Sequence, residues 1–343
     1  MVFDLRYLII HITFFLFSCS GSEDTDPQLP GDTGNPEDSI PQLSCDPVNP
    51  EVPGTGDPTL EWVTPVSDGI NVLHSVFCSG AAQTEVSYHI YKPNDYVTEP
   101  SRRFPVMYWL HGGGPGPGIQ GIPFIANYFD IAIGEGFIPP MLIVFPNSPV
   151  RSLGDMNIFS MWVDSKDKKS PVETMLIKEL VQHIDEKYRT IDSREGRALD
   201  GFSMGGYGAA RLGFKYHDIF SAISILGAGP MQSMLVETTR ITEQTRLALL
   251  QVIYGGSQDY FISVSPRKMA ENNISDLKDN IFIRIAVGNL DETYNDNREF
   301  HEYLTQLGIP HEFIIAEGVR HNPIQLLNYL SEENWKFYQK VFE

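Results

Sequence analysis

The sequence predicts an α/β fold: a mostly parallel central sheet with helices on both faces, led in by an N-terminal antiparallel hairpin. Three observations predict it. Short, continuous apolar runs alternate with stretches of helical periodicity. Two β-type runs on either side of residue 80 are separated by a short glycine-containing turn. A Gly-x-Ser-x-Gly turn stands between a strand-like and a helix-like segment.

Taken in order, residues 72–77 and 85–91 form the hairpin, with Gly80-Ala81-Ala82 turning between them. Residues 104–110 are almost wholly apolar, as expected of a strand covered on both faces, and so are residues 141–145. Residues 172–188 repeat with a helical period that puts Met175, Leu176, Leu180 and Ile184 on one side. Residues 197–200 lead into Gly201. Residues 222–226, 281–287 and 312–316 supply the remaining strands. Alternation of this kind favours parallel pairing with helical crossovers.

The chain has 343 residues, 44 of them acidic and 25 basic, for a formal charge of -19. Residues 20–58 hold nine acidic residues and no Lys or Arg, so about half of the imbalance sits there. No basic stripe is present to neutralise phosphates, and nucleic acid is not an expected partner. The same segment is rich in Pro, Gly, Asp and Ser, buries too little apolar surface to offset ordering, and reads as a semi-stiff tether.

Ahead of it, residues 8–17 form an apolar run of signal-peptide length, too short to span a bilayer well. Leu16-Phe17-Ser18-Cys19 follows in the order of a lipoprotein cleavage box, though Phe17 is bulky for its place. Two or more acyl chains on Cys19 would hold the chain on a membrane stably. The expected organisation is a lipoprotein signal peptide over 1–18, a tether over 19–58 and one catalytic domain over 59–343. The expected address is a bacterial membrane, the outer one, reached by export; contact with the membrane is through the lipid alone. Of the other cysteines, Cys45 and Cys78 are either bridged or two free thiols.

Gly201-Phe202-Ser203-Met204-Gly205 carries the chemistry. Glycines two positions on either side of the serine let a strand reverse into a helix, which lifts the serine hydroxyl above the sheet. A serine needs a base. Of nine histidines, His321 follows the last expected strand in a loop on the same sheet end as Ser203. The acid should follow a strand between the two, and Asp291 does, in the exit loop of residues 281–287. Glu292, Asp296 and the more distant Asp259 are its rivals. His111-Gly112-Gly113-Gly114 follows the strand ending at Leu110 and resembles an oxyanion loop. The amides of Met204 and Gly113 are the expected donors. Together these features predict the α/β-hydrolase fold. Metal-ligand spacings and phosphate loops are missing from the sequence, and no cofactor is expected. Residues 148–169 are expected to overhang the site with Met156, Phe159, Met161 and Trp162, either as a wall or as a packed loop. Trp162 and Tyr207 are the candidate substrate contacts.

With these residues the chain resembles the esterase D or putative esterase family, which includes feruloyl and acetyl-xylan esterases of carbohydrate esterase family 1. The resemblance runs through Val86-Ser87-Tyr88-His89-Ile90-Tyr91-Lys92-Pro93, then from Phe104 to Gly113. It continues through Gly201 to Gly208, Val287-Gly288-Asn289-Leu290-Asp291-Glu292 and Glu317-Gly318-Val319-Arg320-His321. It implies Ser203, Asp291 and His321 as triad, and the Met204 and Gly113 amides as oxyanion donors. Asn322 departs from the acidic residue commoner there. The expected activity is hydrolysis of a carboxylic ester through an acyl-enzyme, on feruloyl or acetyl groups of a polysaccharide or oligosaccharide. An acyltransferase of the same fold, and a silent glycan-binding lipoprotein, are the rival readings.

Overall fold

The computed structural model describes residues 45–65, 69, 71–113, 118–279 and 281–342. Cys19, the expected signal peptide, residues 19–44 of the expected tether and Gly114 lie outside the described residues.

Among the described residues ten strands run in chain order: β1 (Val72–Ser79), β2 (Thr84–Tyr91), β3 (Val106–Leu110), β4 (Leu142–Pro146), β5 (Val150–Leu153), β6 (Met156–Phe159), β7 (Arg197–Phe202), β8 (Ala222–Leu226), β9 (Phe282–Gly288) and β10 (Glu312–Ala316). Eight of them form one sheet in the order β1-β2-β4-β3-β7-β8-β9-β10. β1 pairs antiparallel with β2, and β2 antiparallel with β4. Every later pairing is parallel. This is the predicted α/β-hydrolase sheet. β5 and β6 form a separate antiparallel hairpin outside it.

The apolar runs are continuous because successive side chains enter different cores. From β3, Val106, Tyr108 and Leu110 join one buried cluster, while Met107 and Trp109 join the other. The helix Met204–Lys215 packs Tyr207, Ala209, Ala210, Leu212 and Phe214 into the first cluster. The helices Ile122–Gly134 and Pro323–Phe342 cover the second. The helix expected over residues 172–188 runs from Val172 to Lys187, with a wider π-helical stretch over Met175–Leu180.

The expected boundary at residue 59 is corrected. Residues 45–58 belong to the folded domain. Cys45 is bonded to Cys78 at the end of β1. The Val48 N–H donates to the Cys78 carbonyl at 3.1 Å, the Gly56 N–H to Ala81 at 2.8 Å and the Asp57 N–H to Lys169 at 2.8 Å. Val48 and Val52 rest against the first core. Composition misled here because the segment borrows its partners: a covalent bond to β1 and carbonyls of Cys78, Ala81 and Lys169 hold a backbone that could not order itself.

Candidate active site

The parallel strands deliver three loops to one sheet end. β7 ends at Phe202, and Ser203 turns the chain with φ 62 and ψ -120 before the helix starts at Met204. A side chain at positive φ is costly, and such conformations persist where the surroundings over-determine them. The glycines make the turn fit. A Cβ on Gly205 would overlap the Leu110 carbonyl oxygen, and one on Gly201 would overlap the backbone of Gly205. The Ser203 N–H is tied to the Leu226 carbonyl of β8 at 2.9 Å.

Ser203 Oγ lies 2.9 Å from His321 Nε2. His321 Nδ1 lies 2.9 and 2.8 Å from the two oxygens of Asp291. A carboxylate only accepts, so Nδ1 carries the proton and Nε2 is left to accept from the serine hydroxyl. Asp291 is buried and also accepts from the Thr293 N–H at 2.7 Å and the Thr293 hydroxyl at 2.8 Å. Burial pushes its carboxyl up, but His321 and the Thr293 donors outweigh burial and hold it below the ordinary carboxylate value. The imidazole also rests against Phe202, ring centroids 4.6 Å apart.

The rival acids make no hydrogen bond to His321 and have other surroundings. Asp259 is exposed in the first turn of the helix Gln258–Ser263. Glu292 is exposed and pairs with Arg240 at 3.4 Å. Asp296 accepts from Gln232 Nε2 at 2.5 Å, and burial, then the charge of Glu299, pushes it up to about 6. Asp291, Glu292 and His321 bring ligand-type atoms within 4.8 Å of one another. Both imidazole nitrogens there already face triad partners.

Met204 opens a helix, where the first amides lack an intrahelical acceptor. Gly112 and Gly113 close the other side: a Cβ on Gly112 would come within 3.3 Å of Ser203 Cβ, and one on Gly113 within 3.2 Å of the Phe159 ring. His111 is buried, donates Nδ1–H to the Gly112 carbonyl at 2.9 Å, and is pushed down to about 4 by burial. It therefore shapes the loop as a neutral ring.

Ser203 borders two cavities. One, of 340 Å³, is walled by Ile158, Phe159 and Met161 from the hairpin side and by Leu249, with Gln232 and Asp296 among its polar groups. The other, of 200 Å³, includes His321, Trp109, Phe124 and Ile324. Residues 157–161 thus overhang the site as a wall. Trp162 and Tyr207 do not touch either cavity, and their assignment as substrate contacts is corrected. Both are fully buried. The Trp162 indole donates to the His111 carbonyl at 3.1 Å, and the Tyr207 hydroxyl faces that of Tyr254 at 3.5 Å. They sit next to cleft residues, but their side chains turn into the core.

Gln232, Arg240, Thr245 and Leu249 line the cleft without any sequence signal. They lie between β8 and β9, in a stretch that carries no motif and precedes no strand end. Asn322 has a local explanation. Its side-chain oxygen accepts from the Gln325 N–H at 2.9 Å, which makes it the N-cap of the last helix, with Pro323 at the first helical position.

Fold and site together set a serine, a histidine and a carboxylate in one hydrogen-bonded line at the end of a parallel sheet. A family model described as Putative esterase matches residues 79–335, and the chain belongs to that family. It is 30% identical over 236 residues to Esterase MT1326 of Mycobacterium tuberculosis (strain CDC 1551 / Oshkosh), covering 64% of this chain and 49% of the relative. It is 26% identical over 188 residues to an endo-1,4-beta-xylanase/feruloyl esterase of Xylanibacter ruminicola, 52% of this chain and 24% of that one. The chain thus spans half or less of the length of these relatives. A solved ferulic acid esterase matches 79% of this chain and 98% of its own, at 22% identity and a TM-score of 0.63, which is a likeness of fold.

Proposed function

We propose that Ser203, His321 and Asp291 hydrolyse a carboxylic ester through an acyl-enzyme. The unbroken hydrogen-bonded line from Asp291 through His321 to Ser203 carries this reading. Ser203 Oγ attacks the ester carbonyl while His321 Nε2 takes its proton. The carbonyl oxygen becomes an oxyanion facing the Met204 amide at the helix start and the Gly113 amide in the loop after β3. The tetrahedral adduct collapses, and the imidazolium hands its proton to the departing alcohol oxygen. Water then repeats the sequence on the acyl-enzyme, releasing the acid. Asp291 stays ionised and holds the imidazole in the tautomer that accepts.

The substrate is a feruloyl or acetyl ester of a polysaccharide or oligosaccharide. The proton donor to the alcohol is His321, which borders the 200 Å³ cavity, so the alcohol side lies there and the acyl group in the 340 Å³ cavity. Apolar walls with a few polar groups suit a flat acyl chain bearing hydroxyls. The xylanase/feruloyl esterase relative supports the same class.

The test is release of ferulate or acetate from feruloylated and acetylated xylan by the purified chain and by Ser203→Ala. Turnover of nitrophenyl esters with nothing released from either xylan would remove the carbohydrate substrate. Equal turnover by Ser203→Ala would remove the mechanism, and products appearing on an added sugar acceptor would favour acyl transfer.

Export and anchoring through Cys19 complete the proposal. The Cys45–Cys78 bond suits an oxidising compartment and leaves Cys19 as the remaining cysteine. Acyl labelling of the expressed chain, lost in Cys19→Ala, would bear it out.

A further inference from the structure

Met161 and Trp162 are consecutive, and both lie in the left-handed region, with φ of 56 and 52. Large side chains rarely adopt it, and two in succession need strong external restraint. The restraint is visible. The Trp162 N–H donates to Ser160 Oγ at 3.2 Å. Its carbonyl accepts from Arg211 Nη1 at 3.1 Å, and Arg211 is itself ion-paired with buried Glu173. The indole lies on Gly208 of the nucleophile's helix, where a Cβ would come within 2.6 Å of Cδ1. Its Nε1–H donates to the His111 carbonyl oxygen at 3.1 Å, and its ring meets the His111 ring at 4.9 Å.

The acceptor is what matters. The His111 carbonyl and the Gly112 N–H belong to one planar peptide unit. Only the soft dihedrals of Gly112 then separate that plane from the Gly113 amide. Glycine has the widest backbone freedom of any residue, so the loop needs an outside anchor to aim a donor. The inverted pair at 161–162 provides it: Met161 reaches the cavity beside Ser203 while Trp162 turns inward.

We propose that Trp162 is a positioning residue for the oxyanion loop, acting through its indole N–H on the peptide plane that precedes Gly112. It rests on the assignment of Ser203 and the Gly113 amide given above. An amide displaced from the developing oxyanion loses transition-state binding while substrate binding is spared.

The test is Trp162→Phe in the full chain, with nitrophenyl acetate as substrate and phenylboronic acid as the tetrahedral adduct former. The expected result is a kcat lower by roughly 10- to 100-fold, KM within about 2-fold, and boronate affinity weaker in step with kcat. A role in packing alone would lower thermal stability and leave the folded fraction with wild-type kcat and boronate affinity, and that result overturns the proposal. Should Trp162→Phe fail to fold, Gly208→Ala displaces the indole from the opposite side; the same kcat and boronate losses support the proposal, and wild-type values overturn it. An inactive wild-type chain would instead sink the Ser203 mechanism, so the two failures are separable.

Discussion

His321 Nε2 stands 2.9 Å from Ser203 Oγ across 118 residues of sequence, and the meeting is set by the sheet. Both residues follow parallel strands, β7 and β10, that end at the same edge. Parallel pairing is therefore what brings a distant pair into hydrogen-bonding contact, the arrangement the proposed nucleophile and base require.

Asp291→Asn is expected to lower kcat by up to about 10⁴-fold at neutral pH, because an amide at that place favours the wrong imidazole tautomer. Glu292→Gln, one residue on but exposed and paired with Arg240, should stay within a few-fold of wild type. Steady-state kinetics on a nitrophenyl ester decide it. A reversed ranking would move the acid to Glu292.

Glu173 predicts a pH-dependent stability. Burial alone would push its carboxyl up, but Arg211 and Lys215, aided by the Tyr216 hydroxyl, hold it down at about 2 from an ordinary value of 4.5. A depressed acid stabilises the fold fully above its unfolded value and loses that contribution as pH falls through the folded one. The gap corresponds to roughly 3 kcal/mol at neutral pH. Glu173→Gln also leaves the Arg211 charge buried without its partner. Urea unfolding at pH 7 should show a loss of about 3 kcal/mol, shrinking between pH 4.5 and 2. A gap that does not change with pH would contradict this account.

Gly205→Ala is expected to destabilise the chain by at least about 3 kcal/mol, since the new methyl overlaps the Leu110 carbonyl, a backbone group rather than the end of a flexible side chain. Differential scanning calorimetry or soluble yield reads the effect. A normal melting temperature would mean that the elbow is looser than its geometry implies.

The Cys45–Cys78 bond closes a loop of 33 residues in sequence separation. Replacing both cysteines by serine should cost about 3 to 4 kcal/mol of stability. The bond lies at β1, four strands from β7 in the sheet order. Turnover at 25 °C should therefore change little. Unfolding and kinetics on the same preparation separate the two effects, and a large loss of turnover in folded protein would link the bond to the site.

Much of this was legible in the chain. Residues 222–226 and 312–316 form strands with the bounds their apolar runs predict. Ser203 was readable because the elbow demands glycine at fixed offsets, and His321 because it follows a strand that must be last. Other parts were not. Trp162 follows four cleft-lining residues, Asn157, Ile158, Phe159 and Met161, and nothing in the sequence tells that a left-handed pair turns its ring inward. The β5–β6 hairpin is four residues a side, too short to show a period. Gln232 and Arg240 reach the cleft by the path of a long connection, which local pattern does not encode. Residues 45–58 look self-sufficiently polar, and their order comes from groups far off in sequence.

The β5–β6 hairpin has a consequence for how this scaffold diversifies. It is paired with none of the eight strands of the main sheet, yet its second strand and exit furnish one flank of the larger cavity. Such an appendage is a replaceable visor. Grafting a hairpin of another length or composition between residues 150 and 159 is expected to retune what enters that cavity, while the Asp291–His321–Ser203 line beneath keeps its spacing.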